Sequence, residues 1–382
     1  MKKLVIIGGG HAHVEVLRRF GLDRLAGVDV TLVSPDRNTP YSGMLPGLLA
    51  GHYTFAQCHI DLQALAHFAG ASLRLARARA LDPVRRVVTL EDGSTLDYDV
   101  ATLDVGSVPS AQDIEGVATH AIVVKPVRGM LAAWETLQAR VQGVGSAVRS
   151  IAVVGGGAAG VEVLLAMQHR LAQLKARTLP EYHLITDTPQ LLPQHAGCAR
   201  ALIERSLARK RVHVHRGWRV TRVEADALIA RDAAQQVLRI GADAVVWVTG
   251  AAPPHWLEHS GLALNDKRFL AVNANLQSLN YGNVFAAGDC ASVAGATYPK
   301  SGVYAVRQGP PLTANLRAAL QNVEHKFQSY VPQNRALALI STGERRAIAS
   351  WGALALHGNW VWRWKDQIDQ AFMRKYQDLI VG

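Results

Sequence analysis

Two glycine-rich turns, one at the start of the chain and one near its middle, carry residue types that can hold a dinucleotide. The stretches are VIIGGGHAHVEVLRRF at residues 5–20 and AVVGGGAAGVEVLLAM at residues 152–167. In a strand–turn–helix unit, the first glycine makes a tight turn and the second lets backbone N–H groups approach a pyrophosphate. The expected turn glycines are Gly8 and Gly10 in the first stretch, and Gly155, Gly157 and Gly160 in the second.

Both turns have flanking segments that support this interpretation. β-Branched runs at residues 3–7 and 151–154 predict buried parallel strands, and apolar residues at helical spacing follow at 14–20 and 161–171. A single glycine motif is weak, but two motifs, each between a strand and a helix, favour two dinucleotide-binding units.

The second strand of each unit is expected to end near a ribose. These strands end at Ser34 and Thr186, and neither position has the acidic residue that is usual for a ribose 2′-hydroxyl. Ser34 can still bond to the ribose, and Asp36 and Asp187 are candidate replacements. Asp187 would repel a 2′-phosphate and no arginine follows it before Arg200, which favours NADH over NADPH while leaving both open.

Two later segments also end a hydrophobic strand in a glycine turn. They are YDVATLDVGSVP at 98–109, with Gly106, and ADAVVWVTGAAPP at 242–254, with Gly250. Such turns are typical of the crossovers between two nucleotide domains.

The segment NVFAAGDCAS at 283–292 is more specific. A strand there leads into Gly288 and Asp289, whose carboxylate can bind a ribityl hydroxyl of a flavin while the nearby backbone meets the pyrophosphate. One chain that holds a resident flavin and an exchanging nicotinamide needs two phosphate-binding turns.

The order of these glycine turns, closed by Gly288-Asp289, resembles the two-dinucleotide-binding-domain flavoproteins of the pyridine nucleotide-disulfide oxidoreductase superfamily, over roughly residues 1–320. Within it, the chain looks most like type II NADH dehydrogenases and sulfide:quinone oxidoreductases. The stretches GGGHAHVEV, TPYSGMLPG, CHIDL, YAVRQGPPLTANL and ISTGERRAIASWG are similar to the flavoprotein domain found fused to selenide, water dikinase.

The resemblance implies an α/β fold. It has two Rossmann-like dinucleotide-binding domains, the NAD domain inserted in the FAD domain, and a small C-terminal α+β region. The expected parts are the first part of the FAD domain at 1–110, the NAD(P)H domain at 111–265, the second part of the FAD domain at 266–325, and the C-terminal domain at 326–382.

The resemblance also implies which residues bind FAD and which bind the nicotinamide cofactor. The expected FAD contacts are Gly8, Gly10, His11, Ser34, Arg37, Ser42, Gly106, Gly288, Asp289, Lys300 and Gly302. The expected NAD(P)H contacts are Gly155, Gly157, Gly160, Asp187 and Gly250.

Histidines distinguish the first turn from the second. His13 occupies the third-glycine position, which normally permits close packing of helix and strand. A structural histidine near the helix start is one interpretation, and a role for His11 near the flavin phosphates is the other. No third ligand accompanies His11 and His13, so no metal site is expected.

Cysteine placement excludes a dithiol route. Cys58, Cys198 and Cys290 are widely separated and form neither a disulfide framework nor a metal-ligand spacing. The Cys-x-x-x-x-Cys pair of classical superfamily members is absent, and Cys290 is expected to be a small buried residue. The remaining route is electron transfer through the flavin without any cysteine.

Two residues are the expected catalytic groups. Glu162 matches the glutamate that type II NADH dehydrogenases place near the nicotinamide and the flavin, either as a proton relay or as a structural hydrogen-bond partner. Lys300, with the positive end of a helix at 303–308, is expected to stabilise negative charge on the flavin ring. The alternative for Lys300 is a solvated surface lysine.

The end of the chain has its own composition. Alternation of Trp360, Trp362 and Trp364 predicts a strand with one aromatic face. Beyond Lys365, helical spacing of apolar residues predicts an amphipathic helix that includes Ile368, Phe372, Tyr376 and Leu379. The region either packs over the flavin or a homodimer partner, or contacts a membrane that holds quinone.

Composition limits the remaining possibilities. The chain has 382 residues and a formal charge of +11, but its basic residues are scattered and no nucleic-acid motif accompanies them. The N-terminal apolar stretch is too short for a signal peptide, which favours a cytoplasmic protein, with peripheral contact at the inner face of the membrane.

The sequence thus predicts an FAD-dependent NAD(P)H:acceptor oxidoreductase with a quinone as the expected acceptor. One alternative is a sulfur- or selenium-compound oxidoreductase of the sulfide:quinone type, which the cysteine placement disfavours. The other is a flavin-bearing redox sensor, which the intact second turn disfavours.

Overall fold

Two parallel sheets, each followed at its carboxyl edge by a glycine turn, organise the chain. The structure is a computed structural model, and it describes residues 1–110, 114–143, 147–174, 178–333 and 336–380. The predicted domain boundary at 110/111 and the last two residues of the predicted C-terminal domain border or fall outside the described residues.

The described strands, in chain order, are β1 (Lys2–Ile7), β2 (Val28–Ser34), β3 (Asn38–Pro40), β4 (His59–Asp61), β5 (Ser72–Leu75), β6 (Ala78–Asp82), β7 (Val87–Leu90), β8 (Thr95–Asp97), β9 (Val100–Leu103), β10 (Val108–Pro109), β11 (Ala121–Val123), β12 (Ser150–Val154), β13 (Glu181–Thr186), β14 (Val212–Arg216), β15 (Arg219–Val223), β16 (Ala227–Arg231), β17 (Val237–Gly241), β18 (Ala244–Trp247), β19 (Ala251–Ala252), β20 (Leu270–Val272), β21 (Val284–Ala286), β22 (Ala291–Val293), β23 (Ala338–Ser341), β24 (Ala347–Trp351) and β25 (Leu354–Gly358).

The described α-helices are α1 (His11–Leu22), α2 (Leu45–Leu49), α3 (Phe55–Cys58), α4 (Leu62–Ala69), α5 (Val117–His120), α6 (Val127–Val141), α7 (Ala158–Ala172), α8 (Gly197–Arg209), α9 (Gly302–Gln321) and α10 (Asn359–Gln377). Short 3-10 turns include Ser42–Met44 and Gly288–Cys290.

The first sheet contains the N-terminal strand and a strand from late in the chain. Its order is β21-β9-β1-β2-β5, and all neighbours pair in parallel. Most residues of β1 and all residues of β9 and β21 are buried, whereas the edge strand β5 is largely exposed. The glycine turn follows β1 directly, and α1 begins at His11.

The second sheet is built from chain that lies between β9 and β21. Its order is β11-β18-β12-β13-β14, again parallel throughout. The second glycine turn joins β12 to α7, so the two strand–turn–helix predictions are confirmed. Antiparallel ribbons β6-β7-β8 and β15-β16-β17 flank the two sheets.

The C-terminal region is an antiparallel three-stranded sheet, β23-β24-β25, followed by α10. The predicted aromatic strand is wrong: Trp360, Trp362 and Trp364 lie in the first turns of α10, so they alternate between faces of a helix. Packing against the first domain favours the helix, because Val361 and Trp362 join the apolar core of that domain while Trp360 stays exposed. The amphipathic helix predicted for the following residues is present, with Phe372 and Tyr376 packed on the core, but Ile368 is exposed and Leu379 lies in a 3-10 turn after the helix.

Candidate functional site

The first glycine turn is closed by the strand end beside it. Gly8 has φ of +95°, and a side chain there would clash with the carbonyl group of Asp104. A Cβ atom at Gly10 would overlap the carboxyl group of the same residue. Gly8 therefore requires glycine, whereas a side chain at Gly10 would have to displace the Asp104 carboxyl group. Sequence reasoning missed Asp104, which carries no motif of its own.

His13 is a structural residue of this turn. It is fully buried, with Nδ1 2.7 Å from the carbonyl oxygen of Gly8 and Nε2 2.9 Å from the hydroxyl of Thr102. Burial lowers its pKa to about 4, so the ring is neutral near pH 7. The imidazole therefore ties the turn to β9, which agrees with the structural interpretation of this histidine.

The end of β2 leads to a cavity of about 440 Å³. Its lining includes Asp36, Ala76 and Arg128. Ser34 is buried, and its hydroxyl donates to the carbonyl oxygen of Asp36 at 2.8 Å. Arg37 lies farther out, where its guanidinium donates to Asp61 at 2.8 Å. The cavity lies beyond the end of β2, where the sequence predicts the ribose contacts of the first unit.

Asp289 belongs to a polar group at the junction of the two sheets. Its Oδ2 accepts hydrogen bonds from Lys125 Nζ at 2.9 Å and from Ser107 Oγ at 3.1 Å. Burial opposes ionisation of Asp289, but the charge and hydrogen bond of Lys125 outweigh it and lower the pKa. Gly288, with φ of +67°, begins the same 3-10 turn, and Gly106 also has a positive φ of +69°.

The 3-10 turn that starts at Ser42 faces the start of α9. The backbone N–H of Ser42 lies 3.4 Å from Nε2 of His11, and a Cβ atom at Gly302 would meet the Ser42 hydroxyl at 2.9 Å. The structure thus brings together His11, Ser42 and Gly302, three of the predicted FAD contacts. Burial lowers the pKa of His11 to about 4.

Lys300 is not a solvated surface residue. Its ammonium group bonds to the carbonyl oxygen of Ala291 and lies 4.4 Å from the centre of the Phe269 ring. Burial lowers its pKa. The side chain thus lies against β22, and its role toward a flavin ring stays a prediction.

The second turn has a backbone conformation similar to that of the first, but the space beside its second glycine is open. Side chains at Gly155 and Gly160 would clash with the carbonyl groups of Val248 and Gly155 respectively, whereas a Cβ atom at Gly157 would meet nothing within 4 Å. Gly250 is similarly open, its nearest neighbour being Ser110 Oγ at 3.5 Å. This opening is the space that a pyrophosphate needs.

Beyond β13, the fold pairs Asp187 with an arginine that the sequence does not bring near it. Arg219 Nη2 lies 3.6 Å from Asp187 Oδ2, and both side chains are largely exposed. The absence of a nearby arginine along the chain was therefore a poor guide to charge at this position. The preference for NADH over NADPH stays a prediction.

Glu162 links α7 to the C-terminal region. Its Oε1 accepts a hydrogen bond of 2.7 Å from the backbone N–H of Ser341 in β23. Burial raises its pKa to about 7, against the opposing charge of Lys365. Both predicted roles are compatible with this geometry: the carboxyl group has a structural partner and exchanges its proton near neutral pH.

A buried ion pair between Lys365 and Asp369 of α10 lies beside these residues, and helical spacing is its only sequence signal. Lys365 Nζ donates to Asp369 Oδ2 at 2.5 Å and to the carbonyl oxygen of Gly43 at 2.6 Å. Tyr41 hydrogen-bonds to Asp369, and its ring stacks on Phe372 with the centroids 4.2 Å apart. The last helix is thereby fastened onto the 3-10 turn beside His11.

Two of the three cysteines are buried and one is exposed. Cys58 and Cys290 are buried, and burial raises the pKa of each thiol to about 12. Cys198 is exposed, and its thiol donates to the carbonyl oxygen of Ala353. Among the residues that the structure describes, no cluster of His, Cys, Asp and Glu has the arrangement of a metal site.

Comparison with known proteins gives consistent matches. The family model described as "Pyridine nucleotide-disulphide oxidoreductase" matches residues 2–309. A type II NADH:quinone oxidoreductase of Haemophilus influenzae is 23% identical over 89% of this chain and 85% of its own length. A NADH dehydrogenase-like protein of Mycobacterium tuberculosis is 29% identical over 76% of this chain and 73% of its own.

Two solved structures share the fold across nearly the whole chain. The sulfide:quinone oxidoreductase of Aquifex aeolicus superposes with a TM-score of 0.81 at 19% identity, covering 99% of this chain and 92% of its own. The NDH2 of Plasmodium falciparum in complex with NADH has the same TM-score at 15% identity, covering 98% of both chains.

Proposed function

Because this chain belongs to the pyridine nucleotide-disulphide oxidoreductase family, we propose that it oxidises NADH and passes the electrons through bound FAD to a quinone. When bound, FAD supplies a carrier that accepts a hydride from a nicotinamide and delivers two electrons to an acceptor. The buried, protonated thiols of Cys58 and Cys290 favour a route without a redox-active disulfide.

The residues around the first turn fit FAD. Gly8 and Gly10 leave no room for side chains beside the strand end, and the neighbouring cavity suits an adenosine. Asp289 offers an ionised carboxylate for ribityl hydroxyls, held by Lys125. At the second turn, the open Gly157 suits a dinucleotide that enters and leaves in each cycle.

One observation carries the choice of a quinone-type acceptor. Glu162, on the helix that follows the nicotinamide turn, is bonded to the C-terminal region and feels the charges of Lys365 and Asp369. Quinone reduction by NADH consumes one proton beyond the transferred hydride, so a proton donor is needed beside the acceptor. An acid with a pKa of about 7 is well matched to give and regain a proton at neutral pH.

Anaerobic mixing tests the whole proposal. We expect NADH to bleach the flavin of the purified protein and a short-chain quinone to restore the colour. A parallel sample with NADPH shows which coenzyme is the donor, and one with sulfide tests the alternative of a sulfide:quinone oxidoreductase. Bleaching by sulfide but not by NADH would overturn the proposal.

A Glu162→Gln variant tests the proton route. Because Glu162 is protonated below pH about 7, quinone reduction should slow as pH rises through that value in the parent protein. The variant should be slow at every pH, while reduction of a one-electron acceptor such as ferricyanide, which takes up no proton, stays normal. An unchanged pH profile would make Glu162 merely structural.

We further propose that α10 touches a membrane surface. Among the described residues no helix is both long and apolar enough to span a bilayer. One face of α10, however, exposes Trp360, Trp364 and Ile368, and Arg363 and Arg374 lie exposed along the same helix. Aromatic and basic residues in this arrangement are typical of an interfacial helix.

Vesicle binding tests this contact. Attraction to anionic lipid is worth about 1 kcal/mol per basic residue, so sedimentation with anionic vesicles should weaken with salt without vanishing. Trp360→Ser with Trp364→Ser should reduce binding, while Val84→Ser, a control on a distant exposed turn, should not. A parent protein that ignores vesicles and self-associates through this face would make it a homodimer contact instead.

A further inference from the structure

A buried carboxyl group lies inside the first glycine turn, where the second turn has none. Asp104, directly after β9, is only 2% exposed. Its carboxyl oxygens lie against both Gly10 and Gly288, since a Cβ atom at either glycine would overlap them. The corresponding residue after β18 is Val248, whose carbonyl group faces Gly155 as that of Asp104 faces Gly8.

This carboxyl group occupies the positive end of α1. Its Oδ2 accepts a hydrogen bond of 2.9 Å from the backbone N–H of Ala12, in the first turn of that helix. Pyrophosphates bind at the same kind of helix end because unpaired N–H groups and the helix dipole favour negative charge. An ionised Asp104 and a bound pyrophosphate would therefore compete for one source of positive potential.

The groups around Asp104 differ in charge near neutral pH. Burial lowers the pKa of both His11 and His13 to about 4, so these rings are neutral. Asp289 remains ionised because Lys125 lowers its pKa against the effect of burial. The charged and titratable side chains that act on Asp104 are Lys125, which precedes α6, and Asp289 and Cys290 of the 3-10 turn. His11 and His13 belong to the first turn of α1, and His13 meets the Asp104 carboxyl through its backbone N–H.

Asp104 itself titrates close to neutrality. Burial raises its pKa to about 7; the hydrogen bond from Ala12 acts in the opposite direction, and the charge of Asp289 reinforces the rise. The pKa of Cys290 is about 12, also raised by burial. Among Asp104, Asp289, Cys290, His11 and His13, the group that changes charge between pH 6 and pH 8 is therefore Asp104.

We propose that Asp104 is an FAD-binding residue whose carboxyl group is protonated when the flavin is bound, so that FAD binding takes up a proton from solvent. The inference rests on the proposed flavin site. No bond other than this O–H bond forms or breaks. The neutral acid keeps its hydrogen bond from Ala12 and removes a negative charge from the helix end at which a diphosphate would bind.

The sign of the pH effect follows from linkage. The negative charges of FAD favour the protonated acid, so the complex holds the proton more tightly than the free protein does. FAD affinity should then fall as pH rises above the free-protein pKa of about 7. For full uptake of one proton, the dissociation constant should increase about tenfold between pH 6 and pH 8.

Flavin release tests this inference without any measurement of turnover. The flavin-loaded protein is diluted into buffers between pH 6 and pH 8, and released FAD is followed by its fluorescence. The parent should show the rise in dissociation constant, and Asp104→Asn should show a flat profile because the amide does not ionise. Asp97→Asn, a matched change on an exposed aspartate, should keep the parent profile.

Proton uptake provides a second readout if the Asn variant loses flavin. The parent protein is freed of flavin and mixed with FAD at pH 8 in a weak buffer that contains a pH-indicator dye. It should take up close to one proton per flavin bound. Each of three results would overturn the inference: a dissociation constant of the parent that does not change with pH, no proton uptake, or a pH dependence in Asp104→Asn equal to that of the parent. A protein that binds no FAD at any pH would instead overturn the proposed flavin site.

Discussion

The two glycine turns share a backbone but present different surfaces. At both, the first glycine lies against a strand-end carbonyl group, that of Asp104 for Gly8 and of Val248 for Gly155. The second glycine differs, because Gly10 touches a carboxyl group and Gly157 faces open space. The same motif therefore produces the same turn twice, whereas the residues packed behind the turn place a carboxyl group beside the first and leave open space beside the second.

The third position shows the same divergence. Gly160 lies so close to the carbonyl group of Gly155 that a Cβ atom would clash, whereas His13 makes a hydrogen bond to the corresponding carbonyl of Gly8. Helix α1 is thus linked to the first turn by a side chain, whereas α7 packs directly on the backbone of the second turn. Four substitutions test this contrast between a turn for resident FAD and a turn for exchanging NADH.

The largest effect is expected from Gly157→Val. Its side chain enters the open space that the NADH pyrophosphate needs, so flavin reduction by NADH should slow at least about hundredfold. Folding and flavin content should be unchanged, because nothing lies within 4 Å of the added Cβ atom. Stopped-flow bleaching measures the rate. Gly241→Val, equally open at the other end of β12, is the control, and equal bleaching rates in both variants would remove NADH from this turn.

His13→Ala should destabilise the first unit. The change removes a buried ring and leaves Gly8 O and Thr102 Oγ1 without their partner, which should lower the free energy of unfolding by about 2–4 kcal/mol. Denaturant titration measures it. His67→Ala, on an exposed face of α4, should change little, and a similar loss in both variants would contradict the link between α1 and β9.

Asp289→Ala should weaken the resident flavin. Loss of a charge-assisted hydrogen bond is expected to cost on the order of 1.5–3 kcal/mol of FAD binding. Asp266→Ala, at an exposed position, should retain the parent flavin content. Full occupancy after extensive dialysis of Asp289→Ala would show that this carboxylate does not hold the cofactor.

The smallest effect is expected when the second turn receives the carboxyl group of the first. The change is Val248→Asp. Because position 248 is half-buried, this aspartate should stay ionised and repel the NADH pyrophosphate by about 1 kcal/mol, which raises Kd about fivefold. Val248→Asn separates charge from size and should bind NADH like the parent. If Asn weakens binding as much as Asp, shape rather than charge distinguishes the two turns.

Local pattern was a good guide wherever the signal lies in a few neighbouring residues. The strands before both turns, the helices after them and the amphipathic C-terminal helix follow from apolar periodicity and are present. The error at Trp360, Trp362 and Trp364 has a clear cause: alternate residues suit a strand, but only packing reveals that Trp362 is buried with Val361 on one side of a helix.

The candidate site was harder to predict because its polar partners are distant in sequence. Asp289 was found by its motif, but Lys125 reaches it across the junction of the two sheets. Glu162 was found by resemblance, whereas its raised pKa depends on burial under β23. Arg219 meets Asp187 only because β15 begins beside the end of β13.

The sequence by itself determined the two turns, since Gly8, Gly155 and Gly160 lie against backbone carbonyl groups, which are present whatever the side chains of the neighbouring strands. Tertiary structure alone decided what lies behind each turn and what covers the site. Asp104 enters the first turn because β9 pairs with β1, and Lys365 reaches Gly43 because α10 folds back over the first domain. Burial then sets the charge of these groups, since a carboxyl removed from water holds its proton more tightly, and no local pattern of residues records that removal.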